Sequence, residues 1–210
     1  GISTLHLLAS SVMALPGSVF IAKILLPDTP EEREQISTNN NQEKHLSEYT
    51  SFFEAIIVGT LDGLSLAINI LAILIVFIGL TALVNHVVTL TTSYSLNTII
   101  GFLFYPLAIL LGIDPSECTI AAQIIGKKLV LNEFIAYGEL IKQELAPRTM
   151  VILTYALAGF SNLSCIGIQV GSIGTLCPSR RTMAAQLGIK ALFGGTLVNL
   201  MNAALVGMIL

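Results

Sequence analysis

Two long stretches of this 210-residue chain carry no charged side chain. The first covers residues 63 to 113, a run of 51 residues, and the second covers residues 149 to 179, a run of 31 residues. A helix needs only about 20 mostly apolar residues to cross the hydrocarbon core of a bilayer. The two stretches therefore predict a polytopic, all-α membrane protein.

The composition agrees with this class. Hydrophobic residues make up 54% of the chain, charged residues 11%, and the mean hydropathy is +0.82. Since a soluble domain has about 25% charged residues, this chain lacks the means to build a water-facing surface. Its three cysteines show no CxxC spacing, so neither a disulfide framework nor a zinc site is expected. The chain starts at Gly1 without a signal-peptide layout, and we expect it to be a piece of a longer protein.

The first part of the chain divides into three segments. Residues 1–27 form one predicted span, which contains a proline and a glycine near its middle. Residues 28–51 are a polar linker with charges of both signs. Residues 52–95 are predicted to form a long helix. The stretch of 40 residues from Phe52 to Thr91 is mainly hydrophobic, and as a helix it would be ~60 Å long at 1.5 Å per residue. A helix of that length must tilt strongly or protrude from the bilayer.

The remaining residues, 96 to 210, give four further segments. A short interfacial helix is expected from residue 96 to 113, with Pro106 dividing it. A hairpin is expected over residues 116–146, a broken helix over 149–177 and a final span over 186–210. Basic residues lie in and beside the linker and in the loop around residue 180. By the positive-inside rule, both of these loops are predicted to be cytoplasmic.

The hairpin prediction rests on the stretch NEFIAY, which places Asn132 beside Glu133 in apolar surroundings. The arm before this pair has 16 residues and the arm after it has 12, and each is too short to cross the membrane alone. Together the arms make either one poorly apolar span or a re-entrant hairpin with Asn132 and Glu133 at its tip. Non-helical backbone at membrane depth survives where it lines a polar cavity or is buried in protein.

The stretch GFSNLSCIGIQVGSIG, residues 159–174, contains four glycines, three serines and an asparagine. Glycine-interrupted apolar segments are typical of discontinuous helices whose unwound backbone forms a substrate or ion site. Small residues also allow helices to pack closely. The pattern by itself leaves both interpretations open.

Several motifs carry a family resemblance: ASSVMALPGSVFIAKILLPDT, GKKLVLNEFIAY, YALAGFSNLSCIGI and LCPSRR. With them the sequence resembles the C-terminal half of concentrative nucleoside transporters over essentially its whole length apart from the linker. The resemblance implies a homotrimer with a scaffold around the long helix and a mobile transport domain made of inverted repeats. Residues 1–27 would then be the last span of the first repeat, and residues 96–210 would be the second repeat.

The resemblance also implies roles for individual residues. The family's ribose contacts fall on Glu133 and Asn162, Phe160 matches an aromatic residue of the base pocket, and Asn132 lies at the hairpin tip. The next family contact is usually a serine, and here that position is Cys165. The chemistry fits, because a carboxylate accepts from two hydroxyls and an amide both donates and accepts. The competing interpretation of the carboxylate is an ion pair with one of the neighbouring lysines, Lys127 or Lys128, that stabilises the fold.

Cation-coupled nucleoside symport across the cell membrane, by alternating access, is the expected function. An enzyme is not expected, since the histidines lack an HExxH context and no GxSxG motif occurs. The alternatives are a related transporter of another polar solute or a non-transporting membrane scaffold. The expected partners are a nucleoside, the lipid bilayer and two further copies of the chain, with no nucleic acid. No cofactor or metal ligand is expected, and the site of the coupling cation, Na⁺ or H⁺, would lie mostly outside this sequence.

Overall fold

A computed structural model describes residues 2–29 and 51–210 of the chain. All regular structure in this part is helical. Most of the predicted linker, residues 30–50, lies outside the described residues. In chain order the α-helices are α1 (Thr4–Leu25), α2 (Phe52–Thr92), α3 (Leu96–Leu110), α4 (Cys118–Val130), α5 (Glu133–Leu140), α6 (Pro147–Leu157), α7 (Leu163–Leu176) and α8 (Arg181–Ile209).

Among the described residues, three helical segments are long and apolar enough to cross a membrane. They are α1, α2 and the segment Pro178–Ile209, in which a short 3₁₀ turn precedes α8. Helix α2 has 41 residues and none of them is buried in this chain. Because its side chains are apolar nearly all round, α2 must be covered by lipid or by other protein.

Helix α3 corresponds to the predicted interfacial segment, but Pro106 does not divide it. The helix runs continuously through that proline. A proline inside a helix removes one hydrogen bond and crowds the carbonyl four residues earlier. Here α3 packs closely on α4, where a Cβ atom on Gly126 would lie 2.4 Å from Ile100, and it buries Phe104 and Ala108. This packing offsets the local cost of the proline.

The chain reverses and breaks in two places after α3. Helix α4 has 13 residues and α5 has 8, and only residues 131 and 132 separate them. Helix α6 has 11 residues and α7 has 14, with a break over residues 158–162. The last helix begins at Arg181, five residues before the start of the predicted span.

The core of the described chain lies where these short helices meet. Helices α3, α4, α5, α6 and α8 contribute side chains that are almost completely removed from solvent, such as Ile124, Leu140, Ile152, Leu153, Leu157 and Ala203. By contrast, α2 contributes nothing to this core. The described chain therefore consists of a packed body of short helices and a long helix along its side.

Arg148, in the first turn of α6, connects the ends of two other helices. Its guanidinium donates through Nη1 to the carbonyl of Gly112, just after α3, and through Nη2 to the carbonyl of Gly207 at 2.6 Å, in the last turn of α8. Gly112 has φ +72°, a left-handed conformation that favours glycine at the end of a helix. One planar side chain thus satisfies two terminal carbonyls.

We expect Arg148→Gln to lower the stability of the folded protein. Loss of the two guanidinium bonds leaves two helix-end carbonyls without their donor, at a cost of about 1–2 kcal/mol. The measurement is the midpoint of thermal unfolding in detergent. Lys142→Gln is the control, because that exposed lysine also loses its charge near the same end of the hairpin. Equal midpoints for the two variants would contradict the prediction.

Candidate functional site

Two helices begin in the same region of the protein, and each begins at an asparagine. Asn132 caps α5, and its Oδ1 accepts from the backbone N–H of Ile135 at 2.8 Å. Asn162 caps α7, and its Oδ1 accepts from the backbone N–H of Cys165 at 2.9 Å. Asparagine is favoured at this position because its side chain satisfies an N–H group that has no partner within the helix. The positive ends of both helix dipoles therefore lie in this region.

Glu133 joins these two helix starts. Its Oε2 accepts a hydrogen bond from Nδ2 of Asn162 at 2.9 Å. Because Oδ1 of Asn162 accepts from a backbone N–H group and from the hydroxyl of Ser164 at 2.6 Å, its amide nitrogen must be the atom facing the carboxylate. Asn162 is 1% exposed and Glu133 is half-buried, so the contact is partly shielded from solvent. Bonds to a carboxylate are stronger than neutral ones in such surroundings.

The carbonyl end of α6 lies beside the same site and is closed by the hairpin. The hydroxyl of Tyr137, from α5, donates to the carbonyl of Thr154 at 2.8 Å. The amine of Lys128, from α4, donates to the carbonyl of Ala156 at 3.0 Å. The last four carbonyls of a helix have no partner inside it. Both arms of the hairpin therefore supply donors to this end.

The final helix holds the unwound segment between α6 and α7. Nδ2 of Asn199, on α8, donates to the hydroxyl of Ser161 at 2.8 Å, and both side chains are buried. A Cβ atom added to Gly159 would lie 2.2 Å from Oδ1 of Asn199. Only a glycine allows α8 to approach the broken segment this closely.

A cavity of about 270 Å³ opens next to the helix break, between α7 and α8. Phe160, Asn162 and Cys165 line its inner end, and Gln169 lies further along α7. The ring of Phe160 is 73% exposed in this chain. A cavity with one exposed aromatic face, one amide and a nearby carboxylate can hold a flat, hydroxyl-bearing solute.

The five residues predicted for the site have different environments. Asn162, Cys165 and Phe160 line the cavity. Glu133 lies outside the cavity lining and is joined to it only by its hydrogen bond to Asn162. Asn132 lies outside the cavity lining, and its side-chain oxygen is used for the helix cap.

Sequence reasoning missed three participants, Ser161, Ser164 and Asn199, and it gave Lys128 a different partner from the carbonyl of Ala156 that it binds. The run of small and polar residues around Asn162 was a signal for the two serines. Nothing local pointed to Asn199, 37 residues further along the chain.

The interpretation of Glu133 as half of an ion pair is wrong. Within the described residues Glu133 forms no ion pair with either neighbouring lysine. Lys127 instead pairs with Glu139 at 3.2 Å, and Lys128 binds a backbone carbonyl. Lys128 is 3% exposed and so does not extend to the membrane surface. The carboxylate of Glu133 is bound by the amide of Asn162.

Comparison with known proteins shows the family of the chain. The profile of the family described as "Na+ dependent nucleoside transporter C-terminus" matches residues 6–207. The chain belongs to the concentrative nucleoside transporter family. It corresponds to the C-terminal half of the family's proteins, as its motifs predicted. The family consists of membrane transporters, so the predictions of an integral membrane protein and of a protein that is not an enzyme are confirmed.

Individual members of the transporter family match over nearly the whole chain. An uncharacterized transporter of Haemophilus influenzae is 39% identical over 222 residues, covering 99% of this chain and 52% of the relative. The nucleoside permease NupC of Helicobacter pylori is 36% identical over 221 residues, covering 99% and 51%. The solved structure of CNTnw in an inward-facing, substrate-bound state has a TM-score of 0.80 at 38% identity, covering 99% and 51%.

Two facts follow from these matches. The predicted all-α membrane transporter fold is confirmed, because the agreement with CNTnw extends over the whole chain. The chain spans about half the length of the curated relatives it matches.

We expect Gly159→Ala to disturb the helix break. The new methyl group would meet the side chain of Asn199 at 2.2 Å and push α8 away from the unwound segment. Overpacking of this kind costs about 1–3 kcal/mol, and it should lower the thermal midpoint of the intact transporter. Gly138→Ala is the matched control, since a methyl group there meets nothing within 4 Å. A Gly159→Ala protein as stable as the Gly138→Ala protein would count against the close contact.

Proposed function

We propose that the intact transporter carries nucleosides across the cell membrane by cation-coupled symport. Membership of the family supports this function, as do relatives named nucleoside permease and sodium/nucleoside cotransporter. The observation that carries the proposal is the hydrogen bond between Glu133 and Asn162, which joins the hairpin tip to the helix break beside the cavity. This is the one place where a buried amide, a carboxylate and an exposed aromatic ring come together in the described chain.

The ribose of the nucleoside is the part that we assign to Glu133 and Asn162. A carboxylate accepts from two hydroxyl groups at once, and an amide both donates and accepts. The bond between the two side chains occupies them in the absence of solute, so a ribose would exchange that bond for its own. The exposed ring of Phe160 offers a flat apolar surface to the base. Asn132 retains an amide nitrogen that its helix cap does not use, and we place it at the edge of the site.

Movement of the site past α2 is the transport step in this proposal. The hairpin, the broken helix and the final span share one core, so they would move together. Their contact with α2 is apolar near Gly167, where an added Cβ atom would lie 3.2 Å from Ile73 and 3.3 Å from Phe77. An interface without side-chain hydrogen bonds at this point favours sliding. We place α2 in the fixed scaffold of a homotrimer.

Cation coupling supplies the driving force in the proposal. Binding of Na⁺ or H⁺ would preorganise the site, and reciprocity then requires the nucleoside to raise the affinity for the cation. Among the described residues, no group of three His, Cys, Asp or Glu side chains is arranged to hold a metal ion. The description of the family profile favours Na⁺. We place the site of the coupling ion mainly in the other half of the intact transporter.

Two alternatives would show themselves in the same experiments. A transporter of another polar solute would use the same cavity and leave nucleosides unbound. A membrane scaffold would bind neither. Uptake of radiolabelled uridine and adenosine into liposomes containing the intact transporter, with and without a Na⁺ or H⁺ gradient, separates these functions. Absence of saturable uptake of any nucleoside would overturn the proposal.

We expect Glu133→Gln and Asn162→Ala each to raise the ribonucleoside concentration needed for half-maximal uptake. Each variant removes a buried polar contact to the ribose, at a cost of about 1.5–3 kcal/mol, or a factor of roughly ten to a hundred. Uptake and thermal protection by nucleoside measure the effect. The control is Glu139→Gln, which removes a carboxylate from the same helix, where it pairs with Lys127. Unchanged kinetics in both site variants would remove these residues from the site.

Cys165 gives a separate prediction, because its thiol lines the cavity one helical turn beyond Asn162. It is 6% exposed, so we expect modification only when the transport site opens. A small thiol reagent should then block uptake, and saturating nucleoside should slow the block. Cys165→Ser should keep transport and abolish the protected inhibition.

The other two cysteines provide the comparison for this experiment. Cys177 is exposed and should react at the same rate with and without nucleoside. Cys118 is completely buried, with its thiol donating to the carbonyl of Ile113 at 3.3 Å, and should stay unmodified. If the modification rate of Cys165 is the same with and without nucleoside, this cysteine only fills space between the helices.

A further inference from the structure

Lys128 is the buried cation of this chain's hairpin. It lies in the last turn of α4, five residues before Glu133, and is 3% exposed. Charged side chains at membrane depth are costly, and those that persist are paired with other groups and serve a function. The position of Lys128 therefore calls for a functional explanation.

The hydrogen bond of Lys128 is made to a helix end. Its Nζ donates to the carbonyl of Ala156 at 3.0 Å, in the last turn of α6, where the chain stops being helical. Carbonyls at this end of a helix lack intrahelical partners and together carry a partial negative charge of about half an electron. The ammonium therefore lies where the helix dipole favours a cation.

The amine also lies next in the chain to the proposed solute site. Glu133 follows Lys128 by five residues, and Cys165 lies just beyond the break that begins after the Ala156 turn. The amine forms no ion pair with Glu133, whose carboxylate remains bonded to Asn162. Lys128 thus balances the charge of the site from a distance and leaves the carboxylate oxygens available for hydroxyl groups.

Secondary transporters with broken helices commonly bind a metal cation at such a carbonyl end, and that cation holds the break in shape. In this chain the corresponding place beside α6 is taken by an amine. We propose that Lys128 is a built-in cation of this half of the transporter, which closes the carbonyl end of α6 and positions Glu133 and Asn162 for solute. Lys128 is thus a positioning residue, and its role at the solute site rests on the proposed function.

The proposal has a direct consequence for the shape of the site. Without the ammonium group, the carbonyls at the end of α6 should form hydrogen bonds with water instead. The backbone of residues 158–162 should then become more mobile. Cys165, just beyond the break, should then become accessible. The rate at which Cys165 reacts with a thiol reagent measures this loosening without any nucleoside.

The experiment uses the intact transporter with Cys177 replaced by serine, so that Cys165 is the reactive thiol of the described chain. Lys128→Met keeps the length of the side chain and removes its charge, whereas Lys128→Arg keeps a charge. We expect Lys128→Met to raise the rate at which the thiol reagent modifies Cys165 about tenfold, because the variant loses a charged hydrogen bond. Lys128→Arg should remain closer to the parent. Lys127→Met is the control, because that lysine is paired with Glu139 away from the break.

Chemical rescue separates a charge effect from a packing effect. Lys128→Ala leaves room for a small amine, and added methylammonium should return the rate of Cys165 modification toward that of the parent, whereas methanol, a neutral molecule of similar size, should not. If Lys128→Met does not fold, the Lys128→Ala protein purified with and without methylammonium gives the answer. Equal Cys165 rates in Lys128→Met and Lys127→Met, or a defect that neither arginine nor methylammonium reverses, would overturn the proposal.

Nucleoside binding is the second measurement. Uridine and adenosine should bind about tenfold more weakly to Lys128→Met than to the parent, with recovery in the presence of methylammonium. In one outcome, the parent protein binds no nucleoside while the rate of Cys165 modification still rises in Lys128→Met and falls again with methylammonium. That result would overturn the proposed function and leave the role of Lys128 at the helix break standing. A parent that binds nucleoside with the same affinity as Lys128→Met would overturn the role of Lys128 at the solute site.

Discussion

Backbone polar groups that leave a helix inside a packed protein must find new partners, and this constraint governs the described structure. The chain leaves helical geometry at residues 131–132 and again at residues 158–162. The helices that start there are capped by Asn132 and Asn162, and the helix that ends there is closed by donors from the hairpin. Each new helix is capped by its own first asparagine, and the carbonyl end of α6 is satisfied by donors from α4 and α5.

The same groups that complete the helices form the candidate site. Asn162 caps α7 with its oxygen and binds Glu133 with its nitrogen, so one side chain serves both the fold and the site. A solute that takes the place of the Glu133 bond therefore acts directly on the contact between hairpin and broken helix. In the proposed function, this coupling would let a bound solute change how α5 and α7 are held together.

Much of this architecture could be predicted from local sequence. The charge-free stretches indicated the membrane class. The short arms on either side of Asn132 and Glu133 left one span or a re-entrant hairpin open, and the structure has two helices, α4 and α5, separated by residues 131 and 132. The glycines after residue 158 indicated either a break or close packing, and the structure contains both: α7 starts after a break, and Gly167 approaches α2. Pro106 misled the prediction, because packing against α4 outweighed the local preference of proline.

The sequence by itself determined the membrane class, the order of the spans and, through its motifs, the family. These properties depend on hydropathy and on residues near one another in the chain, which a single sequence displays. Only the tertiary structure decided that Lys128 binds the carbonyl of Ala156 and that Asn199 binds Ser161. Those bonds join residues 28 and 38 positions apart, and no local pattern specifies which of several possible partners the packing of the helices will bring within reach.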